Sequence, residues 1–285
     1  MSDPDEGAPE IPLLALRDGL TDVVDSRASL DQVIDAFRSG SGPIAIDAER
    51  ASGYRYSQRA YLIQIRREGS GTSLVDPIAF EDLDELNDAF GHAEWILHAA
   101  SQDLACLREV GLAPTTLFDT ELAARLLGYP RVGLATLVET ILGHSMRKEH
   151  SAVDWSQRPL PQPWLEYAAL DVEVLVELRD ILHEQLQEQD KLIWAEEEFE
   201  HLINMRPTPR EDPWRRTSGI HKVKNRRALA AVKELWTARD QLAQKRDTTP
   251  GRLIPDSAII VAATSLPASR HELLETKGFH GRGAK

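Results

Sequence analysis

The chain has 285 residues, of which 42% are hydrophobic, and its 46 acidic and 33 basic residues give a formal net charge of −13. This length predicts about two domains with a sizeable core. The sequence shows no apolar segment of signal-peptide form and no apolar run near the roughly 18 residues of a membrane span, so we expect a cytoplasmic protein that does not enter a membrane.

Strands and helices alternate in the predicted pattern after an acidic, proline-containing stretch at residues 1–10, which is expected to be a disordered tail. Apolar or alternating runs predict strands at residues 13–16, 43–46, 61–65, 73–75 and 95–98. Apolar residues at helical spacing predict helices at residues 29–37, 83–90, 101–110, 120–127 and 134–142. After an irregular stretch, Pro163 at a first helical position opens a long helix that is predicted to run to Gln187. The first domain is therefore predicted to mix strands and helices over residues 11–205.

A proline-rich stretch at residues 206–213 interrupts this pattern and is predicted to be a linker. Residues 214–285 are helical in composition, with helices expected at 224–245, 257–263 and 270–277. The charge changes sign at the same place, because residues 1–200 contain 16 basic and 38 acidic residues whereas residues 201–252 contain 13 and 5. This basic block predicts a surface that binds phosphate, with a solvated helix face as the alternative.

Two carboxylates follow the strand that is predicted at residues 43–46. Asp47 and Glu49 are two positions apart, so their side chains lie on the same face of the strand. Acids also occur as ordinary turn residues at strand ends, and the pair alone leaves both interpretations open. As a metal site it would have a clear chemistry, because carboxylate clusters that hold Mg²⁺ or Mn²⁺ form phosphoryl-transfer sites.

A second acidic signature lies on the long helix that Pro163 opens. Tyr167 and Asp171 are one helical turn apart, and Asp171 has the apolar neighbours Val174 and Leu175. Burying a lone carboxylate on an apolar face is costly, and a divalent cation shared with other acids would remove that cost. Asp171 is therefore predicted to share a cation with the first acid pair.

The third segment lies between these two and spans residues 95–104. An apolar strand ends at His98, Ser101 is expected to cap the next helix, and Asp103 falls in its first turn. The helix dipole alone favours an aspartate in a first turn. A histidine at a strand end is more often a packed structural residue than part of a site. From this segment alone, Asp103 and His98 have both a structural and a functional interpretation.

Taken together, the three segments resemble the ribonuclease D family of 3′-to-5′ exonucleases. The resemblance runs from about residue 40 to the chain end, with Asp-x-Glu as the first motif, the stretch from His98 to Asp103 as the second and Tyr-x-x-x-Asp as the third. Further stretches similar to the family are residues 61–65, Phe118 to Thr120, Lys148 and residues 154–160. The family usually has threonine where this chain has Ala48, whose side chain should point away from the metals.

The resemblance implies a fold and a domain order. Residues 11–205 are expected to form a ribonuclease-H-like α/β domain, a mixed sheet flanked by helices. Residues 214–285 are expected to form the small all-α HRDC-like domain that follows the nuclease in this family and occurs in some helicases. That domain normally has about five helices and the sequence supplies about three, so we expect an incomplete, loosely packed domain or a fragment of a longer protein.

The resemblance also implies hydrolysis of the terminal phosphodiester with two divalent ions, Mg²⁺ or Mn²⁺, to give nucleoside 5′-monophosphates. Asp47 would bridge both ions, Glu49 and Asp171 would complete the first, and Asp103 would help to hold the second. Tyr167 would orient the attacking water. An ordinary phenol pKa near 10 makes Tyr167 a poor general base at neutral pH.

Several other residues are candidates for contact with the substrate. His98 is close in sequence to the second motif, and Lys148 and Arg158 lie in the irregular stretch, where they either bind phosphate or are ordinary loop charges. Trp155 either stacks on a terminal base or packs against the sheet. The basic residues expected to bind the RNA backbone are Arg215, Arg216, Lys222, Lys224, Arg226 and Arg227.

The expected partner is RNA with a free 3′ end, and the resemblance implies processing of tRNA precursors by a monomeric enzyme. An exonuclease on single-stranded DNA is one alternative, because the motifs do not show what would accept the 2′-hydroxyl. A non-catalytic nucleic-acid-binding scaffold is another, which the four acids and Tyr167 disfavour. A hydrolase of small nucleotides is a third, which would have little use for the basic second domain.

Overall fold

The computed structural model describes residues 11–147, 150, 152–206 and 211–279. The expected tail at residues 1–10 and Lys148 lie outside these residues. The described chain forms two compact units, one of residues up to Arg50 with 59–206, and one of residues 51–58 with those after 206. Nothing in the sequence pattern indicates that residues 51–58 belong with the C-terminal unit.

A mixed sheet is the framework of the first unit, and within the described residues it has six strands in the order β1-β4-β3-β2-β5-β6. The strands are β1 (Val23–Val24), β2 (Ser41–Arg50), β3 (Ala60–Glu68), β4 (Gly71–Val75), β5 (Trp95–Leu97) and β6 (Leu117–Asp119). Strand β2 is antiparallel to β3 and parallel to β5. Strand β3 is antiparallel to β4, while β1 is parallel to β4 and β6 is parallel to β5.

Helices pack against this sheet, which confirms the α/β class that the resemblance implies. They are α1 (Arg27–Ser39), α2 (Asp84–Phe90), α3 (Leu104–Arg108), α4 (Thr120–Leu127), α5 (Leu134–Leu137), α6 (Gln162–Glu173), α7 (Leu175–Glu188) and α8 (Leu192–Asn204). Among the helices of the described residues, none combines the length and the apolar character that crossing a membrane requires.

Some predicted elements differ from those observed. Residues 13–16 pair only through one bridge between Leu13 and Ser145, because Leu14 packs into a core cluster with Val174 instead of joining the sheet. The single long helix predicted after the irregular stretch is two helices, α6 and α7, since Val174 has the non-helical angles φ −118° and ψ 3°. Strands β1 and β6 have two and three residues and are too short to give a periodic signal.

Alternate side chains of β2 face opposite sides of the sheet. One set lies in the main hydrophobic core: Ile44, Ile46 and Ala48. On the other side, Ala45 packs against Val172 of α6 and Leu175 of α7. Asp47 and Glu49 are in phase with Ala45, so both project toward the side of the sheet that α6 and α7 cover.

The second unit is helical, as the resemblance implies. Its helices are α9 (Arg226–Arg246), α10 (Pro250–Leu253), α11 (Asp256–Ser265) and α12 (Arg270–Glu275). Its main core cluster consists of Trp214, Val223, Ala228, Val232, Ile259 and Ala263. Val232 and Ile259 are fully buried, so α9 and α11 pack closely. Whether this domain is complete stays a prediction.

Residues 51–58, which connect β2 to β3, belong to this helical unit. The Tyr56 hydroxyl donates a hydrogen bond to the Asp240 carboxylate of α9 over 3.2 Å. The guanidinium of Arg252 lies over the ring of Tyr54, 3.9 Å from its centre. The chain that leaves the C-terminal end of β2 is thus fixed by polar and aromatic contacts.

Candidate active site

Three carboxylates meet at the C-terminal end of β2. Asp47 and Glu49 project from the strand, and Asp171 lies in the last turn of α6. One ligand oxygen from each of the three lies within 4.8 Å of the other two. Oxygens that bind one hard divalent cation lie roughly 2.0–2.6 Å from it and therefore at most about 5 Å apart. This donor set fits a cation such as Mg²⁺ or Mn²⁺.

Asp103 adds a fourth carboxylate at the same edge of the sheet. Because β5 is parallel to β2, the two strands end at the same edge, and Asp103 follows β5 after a 3₁₀ turn over Ala100–Gln102. The predicted cap by Ser101 is wrong, since Ser101 lies in that turn and Asp103 precedes α3. The Asp103 side chain makes no capping hydrogen bond and instead pairs with Arg50 at 3.3 Å. Helix capping therefore does not account for this buried acid.

Hydrogen bonds to Asp119, at the end of β6, hold the turn between β5 and α3 in place. The backbone N–H groups of Ala99 and Ala100 donate to the Asp119 carboxylate over 3.1 and 2.8 Å. Asp119 also caps α4. The Thr120 hydroxyl lies 2.9 Å from Nδ1 of His98. This gives the stretch from Phe118 to Thr120 a structural role, because it positions the segment that carries His98 and Asp103.

The four acids line one cavity of about 390 Å³. Burial raises the pKa of Asp47 to about 6, and burial together with the charges of Asp47, Asp171 and Asp103 raises the pKa of Glu49 to about 10. The pKa values of Asp103 and Asp171 also lie well above their ordinary range, through burial and then through the charge of Asp47. Buried acids this close keep protons unless cations replace them. The electrostatics of the cavity therefore favour metal binding.

Tyr167 and His98 also line this cavity. Tyr167 is hydrogen-bonded to the Asp171 side chain, and burial followed by the charges of the acids raises the pKa of its phenol above the ordinary value. The phenol therefore stays protonated with its O–H on Asp171, and its oxygen can accept a hydrogen bond from a water. Burial lowers the pKa of His98 to about 4, so its imidazole is neutral near pH 7.

Both parts of the chain match models of known protein families. A 3′-5′ exonuclease family model matches residues 22–187, which contain the four acids and Tyr167, and an HRDC domain model matches residues 228–285. Ribonuclease D of Shewanella sp. (strain ANA-3) is 33% identical over 276 residues, which are 91% of this chain and 69% of that protein. The chain belongs to the ribonuclease D family. It is accordingly a hydrolase of the 3′-5′ exoribonuclease class.

Two solved structures share the fold of this ribonuclease D family member. A protein from Bifidobacterium adolescentis is 42% identical with a TM-score of 0.92, over 96% of this chain and 68% of that one. Escherichia coli RNase D, an exoribonuclease involved in structured RNA processing, is 28% identical with a TM-score of 0.70, over 89% of this chain and 68% of that one. The chain spans about half the length, 48%, of another curated ribonuclease D, from Granulibacter bethesdensis.

Two residues expected to contact the substrate have structural roles in this ribonuclease D family member. Trp155 is fully buried and packs edge-on against Trp164, with ring centres 5.6 Å apart, so it offers no exposed face to a base. Arg158 donates to both carboxylate oxygens of Asp76 over 2.6 and 2.7 Å. Its remaining N–H groups donate to three backbone carbonyls. The five N–H groups of Arg158 thus all have partners within the fold, which favours the alternative of a loop charge over the predicted phosphate contact.

The other candidates for substrate contact lie on the surface or outside the described residues. Lys148 is outside the described residues. The basic side chains of the second unit are all exposed: Arg215, Arg216, Lys222, Lys224, Arg226 and Arg227. Arg215 lies over the Trp214 ring at 4.5 Å and pairs with Asp212 at 2.9 Å. Arg226 and Arg227 occupy the first turn of α9, where backbone N–H groups also attract anions.

Arg50, which no sequence motif indicates, directly follows the Asp-x-Glu motif and lines the same cavity. Its position in the sequence gives no sign of a role, because neighbours in a strand point to opposite faces. Only the structure shows that the pairing of β2 with β3 is irregular at this point.

Proposed function

We propose that this ribonuclease D family member hydrolyses RNA stepwise from its 3′ end, with two divalent ions, and releases nucleoside 5′-monophosphates. One observation carries the proposal: ligand oxygens of Asp47, Glu49 and Asp171 lie within 4.8 Å of one another, and Asp103 lines the same cavity. Asp47, Glu49 and Asp171 would hold one cation, and Asp47 with Asp103 would hold the second.

The residues of the cavity have different roles in the proposed reaction. Divalent ions at these ligands would polarise the scissile phosphate and lower the pKa of the attacking water. Tyr167, whose O–H donates to Asp171, accepts a hydrogen bond from the water through its hydroxyl oxygen and so orients the water toward phosphorus. His98 is neutral and held by Thr120, so it can accept or donate one further hydrogen bond without adding charge. No covalent bond to the enzyme is formed.

RNA is the substrate that the family membership supports, since the curated relatives are named ribonuclease D. Action on tRNA precursors is a finer prediction that rests on the resemblance, and a monomeric, cytoplasmic enzyme is a separate prediction. The exposed basic side chains of the second unit support a nucleic-acid substrate over a small nucleotide. The four acids do not distinguish RNA from DNA, so a matched DNA belongs in the test.

The purified protein should shorten 5′-labelled single-stranded RNA one nucleotide at a time in Mg²⁺ or Mn²⁺ and should stop in excess EDTA. A 3′-labelled copy should release labelled mononucleotide from the first time point, because the reaction begins at the 3′ end. Circular RNA of the same sequence is the control and should stay intact. Cleavage that persists in EDTA, or equal cleavage of the circle, would contradict the proposal, and faster digestion of DNA would assign the activity to DNA.

Replacing Arg226 and Arg227 by glutamine should weaken RNA binding and reduce its dependence on salt. If both side chains contact phosphates, the slope of log affinity against log salt should fall by about 1.4, since each contact with a single strand contributes roughly 0.7. Binding is measured by fluorescence anisotropy in EDTA over a range of KCl concentrations. The control is Arg38→Gln, which removes an exposed charge on α1.

The same pair of substitutions should leave the rate at saturating RNA unchanged, because neither residue lines the cavity of the acids. An unchanged salt slope would assign the two arginines to a solvated helix face.

A further inference from the structure

Arg50 brings a positive charge into the cavity of the four acids. Its Nη2 atom lies 3.3 Å from Oδ1 of Asp103, and the two side chains are 25% and 7% exposed. Among the described residues that line this cavity, Arg50 is the one arginine or lysine. Its charge opposes the rise in the pKa of Asp47, Glu49 and Asp103 that burial causes. Arg50 is thus a counter-ion that the chain itself supplies.

A β-bulge accompanies this placement. Glu49 pairs with Leu62 of β3, whereas the next residue, Arg50, pairs with Ala60, so Tyr61 is passed over. The extra residue belongs to β3, and a bulge bends the strand that carries it and disturbs the pairing of the partner strand beside it. In a regular strand the neighbour of Glu49 would point to the opposite face. The irregularity therefore lies at the one position of β2 that carries a cation.

The ion pair conflicts with the part that Asp103 plays in the proposed function. A guanidinium and a divalent cation next to the same carboxylate repel each other, and burial weakens the screening of that repulsion. Among the described residues, Asp47, Glu49 and Asp171 make no ion pair with arginine or lysine. The conflict is therefore confined to the second ion.

We propose that Arg50 competes with the second divalent ion for Asp103, an inference that rests on the proposed function. Without that ion, the guanidinium neutralises Asp103. When the second site fills, the guanidinium moves to the open side of the cavity, where phosphate oxygens of RNA accept its N–H groups. The second ion consequently binds more weakly than the first. Bound RNA increases the affinity of the second ion, because the RNA gives Arg50 a new partner.

Mn²⁺ binding to the full chain without RNA tests this inference directly by titration calorimetry. The wild-type chain should bind two ions with unequal affinity. In Arg50→Gln the weaker affinity should increase by about 10-fold or more, the effect usual for groups next to metal ligands, while the stronger stays unchanged. Arg50→Lys keeps the charge and should retain a weak second site. If Arg50→Gln does not fold, Arg50→Met provides the same measurement and retains the aliphatic stem.

Thermal unfolding separates competition from a permanent structural ion pair. In EDTA, Arg50→Gln should unfold at a lower temperature than the wild-type chain, because Asp103 loses its counter-ion among other acids. In saturating Mn²⁺ this difference should disappear or reverse, because the second ion no longer displaces a cation. An equal loss in both conditions would overturn the inference, since the pair would then persist beside the metals.

Two variants distinguish a failure of this inference from a failure of the proposed function. In an Asp103→Asn background the weaker binding event should be absent, and adding Arg50→Gln should change Mn²⁺ binding no further. Two binding events that are identical in Arg50→Gln and wild type would overturn the role of Arg50 and leave the proposed function intact. Mn²⁺ binding that is unaltered in Asp47→Asn would overturn the metal site itself.

Discussion

Asp47→Asn should reduce RNA hydrolysis by about 10³-fold or more, because a metal at this site supplies several kcal/mol of transition-state stabilisation and each 1.36 kcal/mol is tenfold in rate. Asp47 is the residue predicted to contact both ions, and its oxygen lies within 4.8 Å of those of Glu49 and Asp171. The measurement is the single-turnover rate on 5′-labelled RNA in Mg²⁺, with wild-type protein at the same metal concentration.

The fold should survive this substitution, since asparagine has nearly the same shape and removes one charge from a cavity of four acids. In EDTA the unfolding temperature of Asp47→Asn should equal or exceed that of the wild-type chain. The rise that Mn²⁺ produces in the wild-type chain should be largely lost. Asp35→Asn, an exposed change on α1, is the matched control. A near wild-type rate would remove Asp47 from the metal site.

Tyr167→Phe should reduce the rate by about 10²-fold, the usual effect of removing one positioned catalytic group. The phenol hydroxyl donates to Asp171 and keeps its proton, so its loss removes an acceptor for the water but no metal ligand. We therefore expect a lower kcat with little change in Mn²⁺ affinity. The measurement pairs single-turnover kinetics with titration calorimetry on the same preparation.

Tyr129→Phe is the matched control for this experiment. Its hydroxyl lies 2.9 Å from Oε1 of Gln185, a hydrogen bond of the same kind outside the cavity of the acids. This control variant should lose some stability and keep the wild-type rate. If Tyr167→Phe also keeps the wild-type rate, Tyr167 is a packing residue and the water is oriented by another group.

Local pattern was enough to predict the acids that lie on one element. Asp47 and Glu49 share a face because strand side chains alternate, and Ala48 lies in the main core on the opposite face, as expected. The apolar neighbours of Asp171 indicated that its helix face is buried. Asp103 could be related to the others only through the family resemblance, since its place depends on β5 lying beside β2.

The features that the local sequence left open depended on tertiary contacts. Arg158 is a loop arginine with no local sign of structure, yet its carboxylate partner Asp76 is 82 residues away. Trp155 is buried against Trp164, which a family motif does not reveal. Arg50 reaches Asp103 beside a bulge in β3, and bulges carry no reliable mark in a single sequence.

The chain path at residues 51–58 determines how the proposed RNA binding can be tested separately from hydrolysis. These eight residues begin directly after Arg50 and keep their contacts with α9 and Arg252. Deleting everything after residue 206 would leave Tyr54 and Tyr56 without these partners, at the exit of the strand that carries Asp47. A truncated enzyme that is slow would therefore not show that the helical unit binds RNA. Surface substitutions in the intact chain can separate RNA binding from hydrolysis, whereas a single cut cannot.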